Sequence, residues 1–262
     1  MNINLNQRKA IVCGASKGIG RAIAFELASL GSNVTLLARN EESLRKIKDE
    51  IEKKFGGKHD YLSIDFSQNK QTRDQIEKYV SAKGPFHILI NNSGGPPAGL
   101  VHKAQMEEFT AAFSQHLLTN HLMMQCVIDG MKSEKYGRII NIISTSVKQP
   151  VPGLGVSNTI RGAVANWAKT LAGEVAEYGI TVNNVLPGST ETDRLWEVFK
   201  SRATQKNVTF ENIVEHEKQI IPAKRFGKPE EVAQAVAFLA SPSAAYINGI
   251  NLPVDGGRTG CL

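Results

Sequence analysis

Between residues 14 and 20 the chain reads Gly14-Ala15-Ser16-Lys17-Gly18-Ile19-Gly20. Three glycines in seven positions, with a serine and a lysine between them, are residues suited to holding phosphate. Glycine lets a turn close tightly and lets a ligand approach the backbone, and a helix opening just behind the turn presents free N–H groups to an anion. The spacing is G-x-x-x-G-x-G, a variant of the glycine turns that take a dinucleotide pyrophosphate. Nineteen residues past Gly20 stands Arg39. An acidic residue there would accept hydrogen bonds from the adenosine ribose and repel a 2′-phosphate. Arginine, with Lys17 in the turn itself, favours the 2′-phosphate of NADP(H) over NAD(H).

Such a turn needs a strand in front of it and a helix behind. Lys9 to Cys13 is a short apolar run that ends at Gly14, as a buried parallel strand would. Ile19 to Leu30 carries Ile23, Leu27 and Leu30 on one side, and Gly31 stops it. The alternation continues with strands at Asn33 to Ala38, Tyr61 to Asp65, His87 to Asn91, Gly137 to Ser144, Ile180 to Leu186 and Asn248 to Val254. Helices are expected at Glu41 to Lys54, Gln71 to Ser81, Gln105 to Met131, Ser157 to Glu177 and Glu230 to Leu239. Alternating strands and helices require right-handed crossovers and a parallel sheet covered on both faces. The expected fold is therefore a single doubly wound α/β (Rossmann) domain, residues 1–262, with about seven strands. The stretch from Ser189 to Ile221 interrupts the alternation. It is helical in character and contains Trp196, Phe199 and Phe210, and reads either as an extra surface helix pair or as a lid over the site.

Bulk properties remove several classes of function. Hydrophobic residues make up 41% and charged residues 21%, an ordinary globular balance. No apolar run is long enough for a bilayer, and the N-terminus shows no basic stretch leading into an apolar one, so neither a membrane span nor a secretory signal is expected. Cys13, Cys126 and Cys261 are far apart and odd in number, which argues for free thiols in a reducing cytoplasm and against a disulfide framework or metal cluster. The net charge is +6, but the basic residues are dispersed among acids and no nucleic-acid motif accompanies them.

The order of motifs resembles the short-chain dehydrogenase/reductase family over about Gln7 to Arg258, and within it the 3-oxoacyl-acyl-carrier-protein reductases. The resemblance is carried by the glycine turn, Asn91-Asn92-Ser93-Gly94, Asn183-Asn184-Val185-Leu186-Pro187-Gly188, the segment Gly227-Lys-Pro-Glu-Glu-Val, and Val254-Asp255-Gly256-Gly257. It implies that Asp65 and Phe66 flank the adenine. It places Asn92, Ser93 and Gly94 along the cofactor ribose and nicotinamide side, and Pro187, Gly188 and Thr190 at the nicotinamide end. It also implies a small carbonyl or alcohol substrate, possible carriage of that substrate on an acyl carrier, and a homo-oligomer, commonly a tetramer built through the two long helices.

The family's chemistry uses a serine, a tyrosine, a lysine four residues on and an asparagine. Ser144 stands at the serine position. Thirteen residues later, where the tyrosine belongs, stands Ser157, and the lysine position is Arg161. The asparagine position falls on His116, with Asn120 one helical turn away. A free tyrosine titrates near pH 10 and a neighbouring cation lowers it, whereas serine has no comparable acidity. Arginine can hold ribose hydroxyls but cannot relay a proton. Ser144 and Ser157 could both donate hydrogen bonds to an oxyanion. Lys148 reads either as a replacement acid or as an exposed loop lysine, and His116 as an acid or as a hydrogen-bonded core histidine. Two functions fit: an NADP(H)-dependent oxidoreductase with a rearranged proton donor, or an NADP(H)-binding sensor or interaction protein with little turnover.

NADPH should bind at least tenfold more tightly than NADH, a difference of about 1.4 kcal/mol. Calorimetric titration of both nucleotides checks this, and Arg39→Asp should reverse the order; equal affinities in the unmodified protein would refute the reading of Arg39 and Lys17.

Overall fold

Along the first strand, β1 (Lys9–Cys13), side chains alternate between the two sides of a sheet. Ala10 and Val12 join one apolar cluster, and Ile11 and Cys13 join another. A strand that is apolar on both faces is stable only in the middle of a covered sheet. The computed structural model, which describes residues 1–261, places β1 there; residue 262, the last of the expected domain, lies outside the described residues.

The other strands are β2 (Asn33–Ala38), β3 (Asp60–Ser63), β4 (Ile88–Asn91), β5 (Gly137–Ile142), β6 (Ile180–Pro187) and β7 (Asn251–Val254), and the sheet order is β3-β2-β1-β4-β5-β6-β7, every pairing parallel. The helices between them are α1 (Gly18–Ser29), α2 (Glu41–Phe55), α3 (Asn69–Lys83), α4 (Met106–Phe113), α5 (Thr119–Ser133), α6 (Gly155–Val175), α7 (Asp193–Lys206), α8 (Phe210–Gln219) and α9 (Pro229–Ala240). Ile23 and Leu27 of α1, Leu44 of α2 and Val236 of α9 pack on one face with Val12 and Leu36. Ile76 of α3, Met123 and Val127 of α5 and Leu171 of α6 pack on the other with Ile11, Leu89 and Ile139. This is a single doubly wound Rossmann-type sheet. Strand order reverses between β1 and β4, and the crevice at that reversal, outside the carboxyl ends of the strands, is where such sheets bind ligands. Among the described residues no helix is long and apolar enough to cross a membrane.

The four strands to one side of β1 are tied together by an asparagine ladder. Asn91 Nδ2 donates to Asn141 Oδ1 at 2.9 Å, Asn141 Nδ2 to Asn184 Oδ1 at 2.9 Å, and Asn184 Nδ2 to Asn251 Oδ1 at 2.8 Å. These are register partners in β4, β5, β6 and β7. A shift of one strand by one residue would turn its asparagine to the opposite face and break the chain of amides.

Two expectations are corrected. The helix expected from Gln105 to Met131 is interrupted: α4 ends at Phe113, Ser114–Leu118 forms one π-type turn, and α5 begins at Thr119. The Thr119 hydroxyl donates to the Ser114 carbonyl at 3.1 Å, a side-chain bond that competes with regular α-helical pairing. The last strand begins at Asn251, three residues after the expected Asn248. Before it, asparagine side chains take two of the ladder positions, among backbone bonds from Gly249 N–H to the Val182 carbonyl and from Asn184 N–H to the Ile250 carbonyl. Val182 N–H donates to Asn248 Oδ1 at 2.9 Å, and Ile250 N–H donates to Asn183 Oδ1 at 3.1 Å.

Asn141→Leu should leave both neighbouring amides of the ladder without a partner, each at about 1–3 kcal/mol. Asn251→Ala, at the partly exposed end, should cost less because water replaces the lost group. Urea unfolding should show the Asn141 midpoint falling furthest, with the slope unchanged.

Candidate active site

The turn after β1 is built on backbone that a side chain would spoil. Gly14 has φ +62°, and a Cβ there would lie 2.7 Å from both the side-chain nitrogen and the carbonyl of Asn92. At Gly20, inside α1, a Cβ would overlap the Gly14 carbonyl. Asn92, just past β4, holds the turn from the other side: its Nδ2 donates to the Cys13 carbonyl at 3.2 Å and to the Gly14 carbonyl at 3.3 Å. Lys17 is the extended residue before α1, and its side chain does not cap the helix. The first N–H groups of α1 are thus presented from a turn with no side chains at its closest points, and the residues fit a pyrophosphate. Burial pushes the Cys13 thiol, just before the turn, up to about 12.

Arg39 follows β2 and is exposed, and its carbonyl accepts from Ser63 Oγ at 2.9 Å. Among the described residues neither Arg39 nor Lys17 has an acidic partner within 4 Å. The nearby carboxylate is Asp65. Hydrogen bonds from Ser67 hold it below the usual carboxylate range, with a smaller contribution from the Arg39 charge. Phe66 is half-buried, and its carbonyl accepts from Thr119 Oγ1 at 3.4 Å.

The residues across the crevice come from the ends of β4, β5 and β6. Ser144 follows β5 and caps a short 3₁₀ turn, Thr145–Val147. Its Oγ accepts from Ser146 N–H at 3.1 Å, which fixes the oxygen and leaves its proton to be donated elsewhere. Ser157 and Arg161 lie one turn apart on α6, both buried. The Ser157 hydroxyl has no hydrogen-bond partner among the described residues. Arg161 Nη1 donates to the Ile142 carbonyl at 3.1 Å, and a Cβ at Gly95 would lie 3.8 Å from its Nη2. Burial lowers its pKa to about 10, so it remains a cation at neutral pH. Pro187 ends β6, Gly188 N–H donates to the Val254 carbonyl at 3.0 Å, and Thr190 Oγ1 donates to the Gly188 carbonyl at 3.1 Å. Gly94 is exposed, and a Cβ there would meet nothing within 4 Å.

Two features were not anticipated from sequence. The Ser93 hydroxyl is bonded to His116 Nδ1 at 2.8 Å, and His116 sits in the π-type turn. The start of the 189–221 segment also reaches the crevice. Thr192, the cap of α7, lies with its methyl 3.3 Å from where a Gly18 Cβ would stand, and Arg194 donates to the Pro96 carbonyl at 3.4 Å. The available signals were Asn91, which ends β4 just ahead of Ser93, and the Thr192-Asp193 pair that starts α7. Lys148 sits on the loop after the 3₁₀ turn, and its carbonyl accepts from the Cys261 thiol at 3.6 Å.

The glycine turn, the strand-order reversal beside it and the cluster at the ends of β4 to β6 define a doubly wound, dinucleotide-binding type of domain. The chain belongs to the short-chain dehydrogenase/reductase family: residues 14–259 match the family model described as enoyl-(acyl carrier protein) reductase. It is 31% identical to the NADPH-dependent reductase BacG of Bacillus subtilis, over 97% of this chain and 98% of that protein. It is 34% identical to the 3-oxoacyl-[acyl-carrier-protein] reductase FabG of Vibrio cholerae, again over 97% and 98%. Among solved structures, it resembles YwfH, an NADPH-dependent reductase involved in bacilysin biosynthesis, with TM-score 0.93 and 32% identity over 98% of this chain and 100% of that one. It also resembles the L-sorbose reductase of Gluconobacter frateurii, complexed with NADPH and L-sorbose, with TM-score 0.93 and 28% identity over the whole of both chains.

Proposed function

We propose that the chain is an NADP(H)-dependent oxidoreductase that transfers a hydride between the nicotinamide and a carbonyl or alcohol substrate. The observation that carries this reading is a Ser144 hydroxyl fixed just past the carboxyl end of β5, on the same parallel sheet whose β1 ends in a glycine turn that fits a dinucleotide. NADP(H), when bound, supplies or takes up the hydride. Gly14, Ser16, Lys17, Gly18, Ile19 and Gly20 hold the pyrophosphate end. Arg39 and Lys17, neither with an acidic partner within 4 Å among the described residues, are suited to a 2′-phosphate. Asp65 and Phe66 flank the adenine. Asn92, Ser93, Gly94 and Arg161 hold the nicotinamide ribose, and Pro187, Gly188 and Thr190 meet the nicotinamide.

Ser144 polarises the substrate oxygen. Its oxygen is already committed to Ser146 N–H, so its proton points its hydrogen-bonding capacity at the incoming carbonyl. Ser157 supplies a second hydroxyl. Arg161 keeps positive charge in the site but does not release its proton at working pH. Residues 189–221 act as a lid whose first helix is anchored beside the glycine turn. The substrate is small or acyl-carrier-linked, the protein works in the cytoplasm, and the assembly is a homotetramer through α5 and α6; light scattering near the 28.5 kDa of one chain would refute the assembly.

Ser144→Ala should lower kcat for NADPH-dependent reduction of an activated ketone by about 10²–10³ while NADPH affinity stays within twofold. Steady-state NADPH oxidation and fluorescence titration check the two halves. Tight NADPH binding without turnover on any carbonyl would instead support a binding protein.

A further inference from the structure

Carbonyl reduction consumes a proton as well as a hydride, and the site described so far contains no group that can deliver one repeatedly. Ser157 is a weak acid without a bonded partner, and Arg161 keeps its proton. The remaining bifunctional group is an imidazole, which accepts at one ring nitrogen and donates from the other.

The buried histidines of this chain differ in a way that separates structural use from chemistry. His59 Nδ1 accepts from Val34 N–H at 3.1 Å, and its Nε2 is bonded to the Gly56 carbonyl at 2.8 Å. His87 Nδ1 accepts from Lys9 N–H at 3.0 Å, and its Nε2 lies 3.7 Å from Glu134. Each of these rings tethers backbone, and both of its nitrogens are occupied. His116 is only 2% exposed, is bonded to a side-chain hydroxyl, and has an Nε2 that is buried with no hydrogen-bond partner among the described residues. It is carried by the π-type turn Ser114–Leu118, a local departure from α-helical winding of a kind frequent at functional sites.

Ser93 lies two residues beyond Asn91 and Ser144 three beyond Asn141, and those two asparagines are register partners joined through their amides. Ser93 therefore leaves the sheet beside Ser144. Arg161 bridges the same two segments, bonded to Ile142 and approaching Gly95.

We propose, resting on the oxidoreductase reading above, that Ser93 and His116 are the proton relay of this site. In reduction, the carbonyl carbon gains the hydride and its oxygen, held by Ser144, gains negative charge. The Ser93 hydroxyl passes its proton towards that oxygen, directly or through one intervening hydroxyl. Ser93 Oγ recovers a proton from His116 Nδ1, and His116 Nε2 takes one up from water. The net change is one hydride and one solvent proton added across the C=O bond; Ser93 is restored, and the His116 ring is left as its other neutral tautomer, which exchanges back through solvent before the next turnover. Oxidation of an alcohol runs the same path backwards.

Such a relay requires a neutral ring, since a doubly protonated imidazole has no lone pair to receive the incoming proton. Burial, and secondarily the Arg161 charge, lower the His116 pKa to about 3, so the ring is neutral throughout the physiological range. Ser93 acts on the reacting oxygen, and His116 acts through Ser93.

The test compares the unmodified protein with His116→Asn, Ser93→Ala and the double variant, using NADPH and diacetyl. Asparagine retains a donor and an acceptor for Ser93 but cannot take up a proton at one atom and release it from another. A relay predicts that His116→Asn lowers kcat by about 10²–10⁴. NADPH affinity should stay within twofold and the solvent deuterium isotope effect should rise. Ser93→Ala should lower kcat to a similar extent at saturating NADPH, its affinity being free to change because Ser93 also lines the nicotinamide ribose, and the double variant should be no slower than the worse single one, because both act on one path. Retention of kcat within threefold by His116→Asn, or single effects that multiply, would overturn the relay. In the protein without nucleotide, nitrogen NMR should show the His116 ring neutral from pH 8 to pH 4, with its tautomer balance altered by Ser93→Ala. Titration near the ordinary value of about 6.5 would count against the relay alone. Failure of the unmodified protein to reduce any carbonyl would instead count against the oxidoreductase reading and the relay together.

Discussion

Parallel strands pair through slanted, evenly spaced hydrogen bonds that do little by themselves to choose one register over another. In this chain the choice is made by side chains. The amides of Asn91, Asn141, Asn184 and Asn251 meet only when β4 to β7 are aligned as they are. The residues that leave those strands at their carboxyl ends, Asn92 and Ser93, Ser144, and Pro187 to Thr190, inherit their spacing from that alignment. Buried amides carry a large penalty when unpaired, so the ladder penalises misregister more than it rewards the correct one. The carboxyl edge of β4 to β6 is thus positioned by a polar ladder in a largely apolar sheet.

The same economy appears around the crevice. A buried guanidinium without a carboxylate is an expensive arrangement. Arg161 has one carbonyl bond and no acidic partner among the described residues, and the imidazole near it is held neutral. Arg161 therefore carries a buried positive charge without an acidic partner among the described residues. A tyrosine–lysine pair would concentrate proton transfer in one acidic hydroxyl. On the proposed relay, charge and proton transfer fall to different residues, Arg161 and the Ser93–His116 pair, at a site where Ser157 and Arg161 stand in place of the usual tyrosine and lysine.

Much of this was legible in the sequence because its signals are local. The apolar run before Gly14, the glycine spacing and the alternation of periods two and 3.6 establish a doubly wound sheet without knowledge of any contact. Arg39 is legible for the same reason, since its distance from Gly20 along the chain places it at the end of the second strand. What sequence left open depends on distant residues meeting. The bond from Ser93 to His116 joins a strand end to a helix 23 residues away. The break between α4 and α5 depends on the Thr119 hydroxyl finding the Ser114 carbonyl, and helical periodicity runs through that point unchanged. The late start of β7 arises because Asn183 and Asn248 satisfy backbone groups that a strand would otherwise pair. His116 illustrates the limit: the sequence left it either an acid or a core histidine, and burial alone does not reveal which of its nitrogens is bonded.

The methyl group of Thr192 rests against the glycine turn at Gly18, while its hydroxyl accepts from Leu195 N–H and caps α7. One residue is thus shared between the turn and the helix pair that follows. Any shift of the turn on taking a nucleotide must be accommodated by the start of α7, and any tilt of α7 is felt by the turn. By thermodynamic reciprocity, the free energy with which occupancy of the turn biases the helix pair equals that with which the position of the helix pair biases occupancy.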